Sequence, residues 1–268
     1  MSRWFVSFVR RGQAASRTLG LTSGHLAWVA AGVATLGATA VGIAGVSEDV
    51  TRHNGLASTD PARLQAIIDH RSRALDRVAE LLSKLGSVPV LVVFAIAVGL
   101  ALWWRGERLV VAATPTLALG FAGVAAEVVK LGVGRARPDT ALQLVTETAP
   151  SFPSGHSTDS AALFLAVALV IAVFVARRTW IKVGLVAVAA VLASAIGASR
   201  LVLGVHWPSD VIAGLLLGTF VAVAAVGTAF FVDRVPARPS ASVAMRALAV
   251  LKLRRRATLR GQPLVAVA

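Results

Sequence analysis

Three short blocks of the 268-residue chain carry side chains suited to chemistry. Lys130 and Arg137 are separated by six residues, and Pro138 follows. Pro153-Ser154-Gly155-His156 sits where a polar loop meets a long apolar run. Ser199-Arg200 is followed after five residues by His206, and after three more by Asp210. Lysine offers a point charge, and arginine a planar fork that grips phosphate with two hydrogen bonds. The free N–H groups of a helix start favour an anion. Ser154 either caps such a start or turns its hydroxyl to a ligand oxygen, and Gly155 lets the backbone come close to a ligand. His156, in the first turn, can give or take a proton near neutral pH. With Pro208 at the first position of a helix, Asp210 lies in its first turn and reaches back toward His206. A carboxylate on one imidazole nitrogen fixes the tautomer and leaves the other nitrogen free to attack. Placed cations, a nucleophile and a proton donor are what holding a phosphate and breaking a P–O bond require.

Each block alone has a plainer reading. Lys130 and Arg137 can snorkel to lipid headgroups. They either share a helix face two turns apart or are parted by a bend at Gly132, Gly134 and Pro138. The tetrapeptide at 153–156 can be an ordinary cap, and His206 with Asp210 a membrane-edge histidine beside a helix-start acid. Jointly these readings weaken, because the blocks hold two of the five histidines and converge on one membrane face. His25 reads as interfacial, and His53 and His70 as surface residues. Arg135 reads as a solvated or headgroup-facing charge. Asp139, Glu147 and Asp159 read as scattered, solvated loop acids. Glu127, one turn before Lys130, either pairs with it or is a buried, hydrogen-bonded acid. No carboxylate or thiolate cluster suggests a metal, and the chain has no cysteine.

The elements that must position these blocks are membrane spans. The chain is 56% hydrophobic and only 15% charged, outside the range of ordinary soluble domains. Apolar runs at about 26–46, 88–104, 109–129, 156–175, 183–198 and 208–232 match the length of spanning helices. The fold class expected is all-α, a polytopic six-transmembrane-helix bundle. The four-residue turn 105–108 makes its two flanking spans antiparallel neighbours. Ala38-Thr39-Ala40 resembles a cleavage site, but the run and its basic leader are long for a signal peptide, so an uncleaved first span is expected. Between the first two spans, Thr59 or Asp60 before Pro61 reads as a helix start. Leu64, Ile67, Ile68, Leu75, Val78, Leu81 and Leu82 then recur at helical spacing. That predicts an amphipathic helix at about 60–84, lying on the membrane or packed on the span ends. The expected organisation is a basic N-terminus at 1–25, a six-span domain at 26–232 and a basic tail at 233–268.

Six spans put both termini on one side. That side carries 17 of the 27 Lys and Arg and only Glu107 and Asp233 as acids. The positive-inside rule places both termini in the cytoplasm and all three blocks at the outer face of the cell membrane. The net charge of +14 is therefore a matter of topology, and no nucleic-acid partner is expected.

The three blocks together resemble the type 2 phosphatidic acid phosphatase superfamily, the integral-membrane relatives of the vanadium haloperoxidases. Its pattern is Lys-x6-Arg-Pro, Pro-Ser-Gly-His and Ser-Arg-x5-His-x3-Asp, and every fixed position is met here at the right spacing. The resemblance covers about 88–232 and implies a six-helix membrane bundle. It implies that His206 forms a phosphohistidine, that Asp210 orients it, and that His156 protonates the leaving group and later activates water. Lys130, Arg137, Ser154, Gly155 and Arg200 would hold the phosphoryl oxygens, with no metal or other cofactor. The expected substrate is a phosphatidic acid-type lipid or an undecaprenyl- or decaprenyl-type diphosphate in the bilayer. A lipid phosphotransferase would use the same intermediate, and a non-catalytic anion or lipid transporter would use the cations alone. Composition rich in Ala, Val, Gly and Arg suggests a bacterial source. Oligomeric state is not legible.

Overall fold

The computed structural model describes residues 23–234, and the described residues are helical, with short connections except for the long loop at 134–154. The expectations for the basic leader and for all but the start of the tail lie outside them. Among the described residues nine α-helices follow in order: α1 Ser23–Arg52, α2 Gly55–Ser58, α3 Asp60–Asp69, α4 Arg73–Leu85, α5 Val88–Trp104, α6 Leu109–Val133, α7 Gly155–Val170, α8 Thr179–Val202 and α9 Pro208–Arg234. Helix α7 runs on through a single wide π-turn at Ile171–Val175. Five helices (α1, α6, α7 with its extension, α8, α9) are long and apolar enough to span a membrane. The pair α4–α5, bent by 52° at its join, supplies a sixth crossing when taken as one span. This is a multi-pass membrane protein.

The central element is α7. From Ala161 onward its sequence is apolar on all sides, as a helix surrounded by other helices must be. Ala161, Leu163, Leu165, Ala166 and Val170 are buried there against residues of α5, α6, α8 and α9. Helix α9 approaches α7 through Gly214 and Gly218, a small-xxx-small spacing. A Cβ at Gly214 would stand 2.7 Å from the Ser154 carbonyl oxygen, and one at Gly218 would run into the Thr158 carbonyl. Gly197 of α8 presses likewise on the Ser157 side chain, where a Cβ would meet Oγ at 3.1 Å. These contacts fix the start of α7 between the end of α8, which carries Ser199 and Arg200, and the start of α9, which carries Asp210. The C-terminal half of α1 packs Val46 and Val50 against Phe152 and Ala213 at the same end.

The amphipathic segment differs from one helix over 60–84. It is two helices, parted at His70–Ser72. Ser72 has an extended backbone, and its Oγ accepts a hydrogen bond from the Leu75 N–H, which starts α4 afresh. Arg71 pins the join by donating from Nε to the Val202 carbonyl at 2.6 Å. Helix α3 buries Leu64. Helix α4 leaves Leu75, Val78, Leu81 and Leu85 uncovered by protein.

The bundle has two ends. At one, Arg108 pairs with Asp233, Lys182 lies 5.7 Å from the Trp28 ring, and His25 meets Phe230 edge to face. At the other lie the C-terminal ends of α1, α6 and α8, the starts of α5, α7 and α9, and α3–α4. All three chemical blocks sit at this second end. His53 and His70 are exposed, as the sequence implies.

Candidate active site

Helix α6 stops at Gly134, which takes a left-handed conformation (φ 61°) and lets its N–H close on the Lys130 carbonyl. Lys130 therefore stands on the last helical turn, while Arg137 lies in extended chain beyond it. The bend, not the shared helix face, separates the pair. Lys130 is buried, donates to Glu127 Oε1 at 2.7 Å, and places Nζ 3.5 Å from where a Cβ at Gly155 would stand. Pairing is thus the outcome for Glu127, and Lys130 reaches the start of α7.

That start is built as a cap. Ser154 precedes α7 with an extended backbone, its Oγ facing the Ser157 N–H and accepting from the Ser157 hydroxyl at 3.0 Å. The Ser154 N–H donates to the Asp210 carbonyl at 3.0 Å, which ties the second block to the third. The preceding Phe152–Pro153 peptide is cis. The His156 ring lies beside the Ser83 backbone and within electrostatic reach of His206 and Arg200.

His206 is 2% exposed and held from both sides of its ring. Nδ1 lies 3.3 Å from Asp210 Oδ2, and Nε2 lies 3.2 Å from Arg137 Nη1. A guanidinium can only donate, and an ionised carboxylate can only accept. Both neighbours therefore select the tautomer with the proton on Nδ1 and the lone pair on Nε2. Burial pushes the His206 pKa below its usual value, against the pull of Asp210 and with the help of Arg137 and Arg200. The ring is neutral at neutral pH, and its free electron pair faces the arginines.

Two arginines bound the space before Nε2. Arg137 donates from Nε to the Ala149 carbonyl at 2.6 Å and from Nη1 to the Val205 carbonyl at 2.8 Å. Arg200 is 2% exposed, donating to Ser83 Oγ and, at 2.5 Å, to Glu147 Oε1. The other Glu147 oxygen lies 3.7 Å from Arg137. Burial works to raise the Glu147 pKa, but Arg200 and Arg137 outweigh it and hold the carboxyl below its usual range. Glu147 is therefore an anion lodged between two cations, not a solvated loop acid.

Two more residues depart from the sequence expectation. Arg135 does not face solvent or headgroups: it is an ion-pair partner of both Asp60, at 2.8 Å, and Asp210, at 2.6 Å. Asp159 belongs to the first turns of α7, not to the loop, and is buried with Oδ1 turned toward Gly123. Asp139 has the minor role of capping a short 3-10 turn through the Ala141 N–H. Asp60, wholly buried under Ser209, carried only a helix-start signal in the sequence. Glu147, the only charged side chain between Asp139 and His156, carried no sequence signal for its arginine partners.

The structure thus brings Lys130, Arg137, Ser154, Gly155, His156, Arg200, His206 and Asp210 to one end of the bundle. The family model described as the PAP2 superfamily matches residues 111–233. Phosphatidylglycerophosphatase B of Bacillus subtilis is 30% identical over 170 residues, 62% of this chain and 80% of that protein. The chain belongs to the PAP2 superfamily. Lipid A 1-phosphatase of Rhizobium johnstonii is 38% identical over 113 residues, which span only 40% of that protein. The crystal structure of the transmembrane PAP2 type phosphatidylglycerolphosphate phosphatase from Bacillus subtilis superposes with a TM-score of 0.68 at 25% identity, over 76% of this chain and 98% of that one. The PAP2 match begins within α6 and ends within α9, so it encloses all three blocks and leaves out α1 to α5.

Proposed function

We propose that this chain, a PAP2-type membrane phosphatase, removes phosphate from a membrane lipid through a phosphohistidine at His206. One observation carries the reading: His206 lies between an acceptor, Asp210 at Nδ1, and a donor, Arg137 at Nε2, which together leave Nε2 unprotonated and turned to the arginine side. In the proposed reaction Nε2 attacks the phosphorus, and the P–O bond to the lipid breaks as the P–N bond forms. His156 gives its proton to the departing oxygen. The same imidazole then takes a proton from water, whose oxygen attacks phosphorus and releases inorganic phosphate and His206. Lys130, Arg137 and Arg200, with Ser154 and the Gly155 N–H, offset the charge on the phosphoryl oxygens. Placement and charge neutralisation are the larger part of such catalysis.

The relatives support a phospholipid monoester first, because they are named as phosphatases of phosphatidylglycerophosphate and of lipid A. A prenyl diphosphate remains the second candidate. The domain layout, cytoplasmic termini and outward site keep their support from the charge asymmetry. The exposed apolar stripe of α4 fits a helix lying in the bilayer surface beside the site.

The test is phosphate release by the purified full chain in detergent with EDTA. Phosphatidic acid, phosphatidylglycerophosphate and a long prenyl diphosphate are offered in parallel, with His206→Ala as control. Release that vanishes in the variant, with acid-labile, base-stable label on wild type, is expected. An active His206→Ala would remove the assigned nucleophile. Reporter fusions at Arg105 that signal from outside would reverse the topology.

A further inference from the structure

Asp60 and Arg135 lie at the back of the phosphate site, away from the groups that would face substrate. Asp60 is 1% exposed. Its Oδ1 accepts from the Ser209 N–H at 3.0 Å, and its Oδ2 accepts from Arg135 Nη2 at 2.8 Å and from the Ser209 hydroxyl. Arg135 donates onward from Nη1 to Asp210 Oδ1 at 2.6 Å and to Ser209 Oγ at 2.7 Å. Its guanidinium also lies 5.6 Å from the centre of the Trp207 ring. Asp210 Oδ2 then accepts from the Trp207 N–H at 2.9 Å and faces His206 Nδ1 at 3.3 Å. A buried carboxylate with only the Trp207 N–H and the imidazole as partners can pivot. One gripped by a guanidinium, itself anchored on a second carboxylate, cannot.

We infer that Asp60 and Arg135 are positioning residues, which hold the Asp210 carboxylate in the plane that orients His206 and so make that orientation depend on the docking of α3. The inference rests on the phosphohistidine reading above.

Charge gives a readout that loosened packing would not. His206 is faced by Asp210 from α9, Arg137 from the loop after α6, Arg200 from α8 and His156 from α7. Glu147 stands behind the two arginines and Arg135 behind Asp210. Removing the Arg135 charge leaves Asp210 less offset, so His206 keeps its proton to higher pH. Removing the Asp60 charge does the reverse. The attacking form is neutral, and the acidic limb of kcat/KM reports that proton in the free enzyme. The limb should rise in Arg135→Gln and fall in Asp60→Asn.

The experiment measures pH profiles of phosphate release from phosphatidic acid by the full chain in detergent. Both variants should lose kcat by about tenfold to a hundredfold, as outer-shell partners of a reactive group do, with KM unchanged. Arg135→Lys keeps the charge and loses the fork, so its kcat should fall while its limb stays with wild type. Wild-type kcat in Asp60→Asn and Arg135→Gln, or limbs that move the same way, would overturn the positioning role. Should Asp60→Asn fail to fold, the Arg135 pair decides: a limb that does not rise in the Gln variant, or does not hold in the Lys variant, overturns it. An active wild type with unaffected variants loses the positioning alone. A folded wild type that releases phosphate from no lipid loses the functional reading with it.

Discussion

Asp210→Asn is isosteric, yet it should be close to the most damaging single change at this site. Three donors converge on the Asp210 carboxylate: Arg135 on Oδ1, and the Trp207 N–H and His206 Nδ1 on Oδ2. The residue is fully buried, so water cannot compensate. An amide brings one acceptor and an NH2 group that can only donate. With the NH2 at the Oδ2 position, it opposes the Trp207 N–H. It also forces His206 to accept at Nδ1, which moves the ring proton to Nε2 and against Arg137. With the NH2 at the Oδ1 position, it opposes the guanidinium of Arg135. Either way two donors lose their acceptor, at roughly 1–3 kcal/mol each. If that falls on the reacting orientation, kcat drops by about a hundredfold to ten-thousandfold, since about 1.4 kcal/mol is tenfold. The assay is single-turnover phosphate release, with thermal unfolding in detergent to confirm the fold. Asp210→Ala sharpens it, because alanine removes the carboxylate without adding an opposing donor. Asn should therefore be as slow as Ala or slower. An Asn variant with kcat within about threefold of wild type, or clearly faster than Ala, would refute the convergence of donors.

Other outcomes follow from the same geometry. Glu147→Gln removes the anion that an entering phosphate must displace from Arg200 and Arg137. A partly exposed pair is worth about 1 kcal/mol, so inhibition by inorganic phosphate should tighten about fivefold; weaker inhibition would mean the carboxylate helps to hold the anion. The acidic limb of kcat/KM should lie below pH 6.5, because burial lowers the His206 pKa from that value. Activity is then lost only as pH falls through the lowered pKa, and a limb above 6.5 would contradict the buried, cation-flanked setting. Gly218→Ala drives a Cβ into the Thr158 carbonyl and should cost about 1–3 kcal/mol of stability, seen as a lower unfolding temperature. Gly120→Ala, where a Cβ meets nothing within 4 Å, serves as the control that keeps it.

The six apolar runs were legible because membrane depth leaves little choice: charge is excluded, so the polar breaks mark helix ends. Val88–Trp104 coincides with its run, and the others extend it by a few residues into the interface. The join at His70–Ser72 was missed because the apolar positions keep helical phase across it. What breaks the helix there is a hydroxyl cap and an arginine bound to a distant carbonyl. The site's cations and histidines were legible from type and spacing. Of their carboxylate partners, Asp210 and Glu127 were legible from short-range spacing; Asp60 and Glu147 were not, because they reach the site from a helix and a loop whose path no local pattern encodes. Asp159 was assigned to the loop because it follows the helix start by only a few residues. An acid that close to an apolar run is costly at membrane depth, and that cost was the signal for burial.

The carboxylate partners explain how such a site exists without substrate. Arg200, Arg137, Arg135 and Lys130 crowd one end of a bundle whose surroundings are largely apolar. Unpaired, buried cations there would carry a desolvation penalty of several kcal/mol each. Each has a carboxylate instead: Lys130 has Glu127, Arg135 has Asp60 and Asp210, and Arg137 and Arg200 share Glu147. These pairs are not equivalent. Asp60 and Asp210 are buried and bound by several donors, so they stay when substrate arrives. Glu147 and Glu127 are partly exposed at 32% and 64% of the side chain, so they can leave their cations for water. The fixed carboxylates are on the His206 side and orient the proposed nucleophile. The releasable ones sit on the cations assigned to phosphate, so an incoming phosphoryl group exchanges one anion for another and need not pay to desolvate bare charge.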